Sequence, residues 1–156
     1  MKEYIYYYKS PIGNLRVVGN EESILTVDFS EYSISNEDNY PEVIMECINQ
    51  FEEYFAGKRK SFDVKYLLRG SEFQRKVWSE LAQIPYGEIV TYKYIAEKIG
   101  NEKAVRAVGT TNGRNPIAII IPCHRVVGAQ GKLTGYAWGL WRKQWLLQHE
   151  KNYKDK

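Results

Sequence analysis

Ile117-Ala118-Ile119-Ile120-Ile121-Pro122-Cys123-His124-Arg125-Val126 is the stretch from which the rest of this chain is best read. Its first five residues are apolar and mostly β-branched, the pattern of a buried strand. The strand would carry Cys123 at its end, on a rigid element. A thiol becomes a nucleophile only when a base or a positive field helps remove its proton. Here His124 and Arg125 follow it directly. If the strand continued through Cys123 and His124, the two side chains would point to opposite faces. A local turn or a bridging water would be needed to bring them together.

Working outward, residues 101–110 and 91–100 form two short helical patterns in tandem. Thr91 caps the first and Gly100 closes it; Asn101 is the expected cap of the second. Two helices joined by a tight glycine turn make a helix-turn-helix pattern. The second helix exposes small residues, Ala107, Gly109 and Thr110, beside one long cation, Arg106. A major-groove reading helix usually shows several long polar side chains. A nearly bare helix with one arginine suits close approach to a narrow groove. Upstream, Ser71-Glu72-Phe73-Gln74 fits a capping box, and Phe73, Val77, Trp78 and Leu81 give that helix an apolar face.

The N-terminal part reads differently. Residues 3–9, 14–19 and 23–29 alternate like strands, with turn signals at Pro11-Ile12-Gly13 and Asn20-Glu21. Pro41 opens a helix whose apolar stripe is Val43, Cys47, Ile48, Phe51 and Phe55, with Gly57 as its stop. Residues 58–70 read as a strand and a connection. The fold class is therefore α/β in the α+β sense. A small antiparallel sheet with a helix occupies residues 1–66, and a mostly helical part with a helix-turn-helix occupies 67–156.

The 156 residues carry a net charge of +3, unevenly spread. Residues 1–66 hold 7 Lys/Arg against 12 Asp/Glu, a net −5, while residues 67–156 hold 15 against 7, a net +8. A basic half carrying a helix-turn-helix points to a polyanion partner. No stretch is long and apolar enough to span a bilayer, and Met1-Lys2-Glu3-Tyr4 does not read as a signal peptide. Two cysteines make no disulfide framework, and a four-ligand zinc site would take every cysteine and histidine the chain has. Cys47 lies on an apolar stripe and reads as core. A reducing, cytoplasmic setting is expected, with no metal and no cofactor.

From Tyr54 to Glu150 the chain resembles the O6-alkylguanine-DNA alkyltransferases, also called methylated-DNA–protein-cysteine methyltransferases. The likeness is carried by Phe73-Gln74, Val77-Trp78, Ile84-Pro85-Tyr86-Gly87, Arg106-Ala107-Val108-Gly109, Asn115-Pro116, Pro122-Cys123-His124-Arg125-Val126, Gly135-Tyr136 and Leu146-Leu147. It implies a ribonuclease-H-like N-terminal domain and a C-terminal DNA-binding alkyltransferase domain. It implies that Cys123 is the nucleophile, that His124 takes the thiol proton through a water, and that Glu150 orients the imidazole. Asn115 would be a hinge and Tyr92 would donate a proton to the departing guanine. Arg106 would fill the stack left by a flipped base. Ala107, Gly109, Thr110 and Arg125 would meet DNA, and Tyr136, Ala137 and Trp138 would line the base pocket. The partner implied is double-stranded DNA carrying O6-alkylguanine, met by a monomer away from any membrane. Arg125 could equally pair with a carboxylate inside the fold, and His149 reads as a surface residue. Two other functions fit parts of the pattern: a module that recognises alkylated bases without transfer, and a Cys–His thiol hydrolase.

Overall fold

The computed structural model describes residues 1–156, which divide into two compact units, Met1–Leu68 and Arg69–Lys156. In the first, β1 (Tyr4–Ser10), β2 (Gly13–Gly19) and β3 (Ile24–Ser30) form an antiparallel sheet in the order β1-β2-β3. The β1–β2 register sets Tyr7 opposite Arg16, and β2–β3 sets Arg16 opposite Asp28. That cross-strand pair is bidentate, at 3.0 and 2.9 Å. Leu15, Val17 and Val27 are buried, while Arg16 and Asp28 alternate to the other face. Helix α1 (Glu42–Phe55) begins one residue after Pro41, and Ile44, Cys47, Ile48 and Phe51 are its buried stripe. Tyr8 of β1 stacks on Phe51 at 6.1 Å.

The strand expected within 58–70 is only a single bridge between Tyr66 and Ile24. Two backbone bonds, Ile24 N to Lys65 O at 2.9 Å and Leu67 N to Ile24 O at 3.0 Å, hold it there, and side chains tie down the rest. Arg59 pairs with Glu53 at 2.9 Å, and Gln50 hydrogen-bonds to Asp63.

The second unit begins with α2 (Glu72–Leu81), where the capping box is complete: Ser71 Oγ accepts from Gln74 N and Gln74 Oε1 from Ser71 N. Next come the two-residue strand β4 (Val90–Thr91) and helix α3 (Tyr92–Lys98), whose cap Thr91 accepts from Tyr94 N at 3.0 Å. Gly100, at φ +79, ends α3. The Gly100 amide donates to Glu97 O and the Asn101 amide to Ala96 O, a Schellman motif. Asn101 does not cap α4 (Val105–Gly113) with its side chain; a 3₁₀ turn, Glu102–Ala104, intervenes and Asn101 O accepts from Ala104 N. The Trp78 indole donates to Thr111 O at 2.9 Å and so ties α2 to α4. Strand β5 (Val126–Val127) pairs with β4 in parallel, Val90 with Val126 and Thr91 with Val127. Helix α5 (Leu140–Tyr153) closes the chain.

The apolar run Ile117–Ile121 is buried but is not a strand. It folds back on itself through Ile120 N to Ala118 O at 2.8 Å and Ile121 N to Ile117 O at 3.0 Å. Ile119 sits at φ +71, a costly conformation for a β-branched residue. Asn115 supplies what a neighbouring strand would have supplied. Its Oδ1 accepts from Ile117 N at 2.9 Å and its Nδ2 donates to Ile121 O at 2.7 Å. Burial on every side explains the apolar sequence; the asparagine explains why no ladder is needed.

Candidate active site

Three elements converge on Cys123. The loop ends in a 3₁₀ turn, Cys123–Arg125, that starts with Cys123 N donating to Ile121 O at 2.8 Å. This turn takes the place of the extended geometry that would have sent the thiol and imidazole to opposite faces. The β4–β5 pairing places the start of α3, and with it Tyr92, alongside the segment that follows the turn. Helix α5 brings Lys143, His149 and Glu150 inward, all buried.

Glu150 is the electrostatic centre. Its Oε2 lies 2.7 Å from His124 Nε2, and Arg125 grips the carboxylate from Nε to Oε1 at 2.8 Å and from Nη2 to Oε2 at 3.0 Å. Gly87 N donates to Oε1 at 3.3 Å. Burial alone would raise the Glu150 pKa, but His124 and Arg125 outweigh it and hold the carboxyl well below the usual range. His124 moves the other way: burial keeps the imidazole neutral against the pull of Glu150. The carboxylate is thus ionised, His124 Nε2 carries the proton and donates, and Nδ1 remains as an acceptor. That Nδ1 is buried without a hydrogen-bond partner. A neutral imidazole with a fixed tautomer and a free lone pair is suited to receive a proton.

Burial pushes the Cys123 thiol up to about 11; Asn115, Lys143, the Cys123 amide and Tyr136 pull it back part of the way. Cys123 as a residue is only 2% exposed. The Tyr136 hydroxyl is buried without a hydrogen-bond partner, and its pKa is raised by burial and then by Cys123. The phenol and thiol are close enough to perturb one another without being in hydrogen-bond geometry. Tyr136 also meets Trp138 edge-on at 5.2 Å. Ala137 is exposed.

Of the two readings of Arg125, DNA contact and a carboxylate inside the fold, the structure supports the second and corrects the first. It is 6% exposed, its Nε and Nη2 are taken by Glu150, and its Nη1 donates to Ile84 O at 2.6 Å. A guanidinium so engaged has no face to offer a phosphate. His149 is likewise not a surface residue. It is buried between Trp145 at 4.8 Å and Tyr153 at 5.0 Å, both at i±4 spacing on α5.

Sequence reasoning missed Lys143. Its ammonium donates to Thr134 O at 3.1 Å and Gly135 O at 3.5 Å, which fixes the loop bearing Tyr136. Burial lowers its pKa and Cys123 raises it. Nothing local distinguishes this lysine from the exposed cations near it; only the burial of Leu146 and Glu150, at i+3 and i+7 on the same face, hints at its side.

On α4, Arg106, Ala107 and Thr110 are exposed and Gly109 is half-buried. Tyr92 is half-buried, and a Cβ on Gly109 would stand 3.9 Å from its ring. The bare face of α4 therefore adjoins Tyr92, whose hydroxyl lies 2.9 Å from Thr134 Oγ1.

Comparison with known proteins shows which family the chain belongs to. Residues 72–152 match the family described as 6-O-methylguanine DNA methyltransferase, DNA binding domain, and residues 4–67 match its ribonuclease-like domain. A methylated-DNA–protein-cysteine methyltransferase of Methanosarcina acetivorans is 52% identical over 153 residues, covering 94% of this chain and 98% of that protein. One of Mycolicibacterium paratuberculosis is 49% identical over 148 residues, covering 92% and 90%. The crystal structure of Mycobacterium tuberculosis OGT in complex with DNA superposes with a TM-score of 0.88 at 45% identity, covering 96% of this chain and 94% of that one. With both parts of the family matched, and with relatives this similar along nearly their whole length, the chain belongs to the 6-O-methylguanine DNA methyltransferase family.

Proposed function

We propose that this protein repairs DNA by direct reversal, moving the alkyl group of O6-alkylguanine in a duplex onto Cys123. The observation that carries the reading is the turn Cys123–Arg125, which joins a buried thiol to a neutral His124 whose free Nδ1 faces no partner. Cys123 Sγ attacks the alkyl carbon. The S–C bond forms as the C–O6 bond breaks, and the thiol proton passes through a water to His124 Nδ1. Glu150 stabilises the imidazolium that results. Because the resting thiol is neutral, proton loss must accompany substrate entry rather than precede it.

Guanine leaves well only if a ring nitrogen is protonated as the bond breaks, and Tyr92 is the proposed donor. A base within a duplex cannot reach a buried thiol, so it must be flipped out. The exposed small face of Ala107, Gly109 and Thr110 lets α4 approach a minor groove closely, and Arg106 is long enough to fill the gap in the stack. Tyr136, Ala137 and Trp138 are the proposed walls of the base pocket, and Asn115 the hinge between α4 and the thiol turn. The thioether has no simple route back to thiol, so each molecule acts once. A monomer in the cytoplasm is sufficient for this chemistry, and no cofactor enters it.

Intact and peptide mass spectrometry after mixing with a duplex containing one O6-methylguanine tests the proposal. One added methyl on Cys123, absent in Cys123→Ala, supports it. Tight binding without added mass would replace it with a recognition module. Multiple turnover of a small ester would point to a thiol hydrolase.

A further inference from the structure

We propose that Thr134 is a positioning residue for Tyr92, its hydroxyl donating to the phenol oxygen so that the phenol proton stays free for the departing guanine. The inference rests on the assignment of Tyr92 as proton donor and extends it to a second residue. Three restraints fix Thr134. Its hydroxyl lies 2.9 Å from Tyr92 Oη. Its carbonyl accepts from the Lys143 ammonium at 3.1 Å. Its methyl packs over Gly128, where any Cβ would come within 3.0 Å of it. With carbonyl and methyl both held, the hydroxyl has one direction left to it, toward Tyr92.

The chemistry gives that direction a use. A phenol that donated its proton to Thr134 could not also donate it to a base. A phenol that accepts from Thr134 keeps its proton available. Once the Tyr92 O–H bond breaks and an N–H bond forms on guanine, the phenolate oxygen already has a donor aimed at it. The loop carrying Thr134 also carries Tyr136, which faces Cys123. One short segment, pinned by Lys143, would therefore place both the acid side and the thiol side of the reaction.

Single-turnover rates with an O6-methylguanine duplex, measured across duplex concentrations, test this in Thr134→Val, Thr134→Ser, Tyr92→Phe and the Thr134→Val/Tyr92→Phe double variant. Valine keeps the shape and the backbone carbonyl and removes only the hydroxyl. The expected result is a saturating rate about 3- to 10-fold lower in Thr134→Val, the value of one hydrogen bond. Duplex affinity should be little changed. Thr134→Ser should recover most of the rate, and Thr134→Val should cost nothing further once Tyr92 is phenylalanine. An unchanged or faster Thr134→Val overturns the proposal, and so does an equal loss in the Tyr92→Phe background, which would mean loop packing. If Thr134→Val does not fold, Thr134→Ala in the same cycle decides on the same terms. A slow Tyr92→Phe with a normal Thr134→Val removes Thr134 alone; a normal Tyr92→Phe removes the Tyr92 assignment as well.

Discussion

Replacing Glu150 with glutamine should cost far more than the loss of one surface charge. The carboxylate accepts from His124, from two Arg125 nitrogens and from Gly87. Glutamine keeps the shape but removes the charge and turns one acceptor into a donor. It would then face either the Arg125 fork or the His124 N–H, and Arg125 would stay buried without its counter-ion. Removing one partner of a buried ion pair costs about 3–5 kcal/mol. Against a total of roughly 5–15 kcal/mol for a domain, that is a large share. With a urea slope of about 2 kcal/mol/M, the midpoint should fall by about 1.5–2.5 M. Tryptophan emission is the assay, because Trp78, Trp138, Trp141 and Trp145 all lie in the second unit and report its unfolding alone. The double variant Arg125→Met/Glu150→Leu should be more stable than either single change.

The pH dependence follows the same logic. His124 is held neutral, its pKa lowered by burial. Its contribution is complete above the unfolded value of about 6.5 and is lost as pH falls from there through the folded value. Glu150, also lowered, adds a second decline that begins below about 4.5 and completes only through its own folded value. The glutamine variant should lack the second decline. A midpoint shift under about 0.5 M, or an unchanged acid limb below pH 4.5, would refute the anchoring reasoning.

Three further outcomes are expected. Tyr136→Phe removes a buried hydroxyl with no hydrogen-bond partner and should raise stability by about 1 kcal/mol in the same urea experiment. It should also slow alkyl transfer, since the phenol perturbs the thiol. Asn115→Ala strands Ile117 N–H and Ile121 C=O inside the fold and should cost about 2–5 kcal/mol by thermal or urea unfolding. Arg106→Ala should leave unfolding unchanged. It should slow repair of duplex much more than reaction with free O6-methylguanine, and equal losses on both would dismiss the finger role.

Local chemistry made parts of the structure legible in advance. Ser71 with Gln74, and Thr91 with Gly100, announce helix ends because their partners lie within three or four residues. The three N-terminal strands followed from alternation. The Ile117–Ile121 run misled because an apolar sequence reports burial and not backbone shape. The deciding group was the side chain of Asn115, acting on both ends of the loop. Arg125 stayed open between DNA and an internal carboxylate because its partner, Glu150, lies twenty-five residues on, and Glu150 turns it inward. His149 and Lys143 were hidden for the same reason: residues typical of surfaces become core when their partners come from other segments or from the adjacent turn.

The seclusion of Cys123 has a consequence for how long an unused molecule stays competent. A nucleophile that can be spent only once is also lost if it is oxidised. Peroxide attacks thiolate, and the early products of that ladder end the thiol's nucleophilic life unless a reductant restores them. With its pKa pushed up to about 11 by burial, Cys123 rests as the thiol at neutral pH, and the residue is only 2% exposed. On the proposed function, the fold thus keeps its nucleophile in storage, shielded from small oxidants until a substrate base enters the pocket.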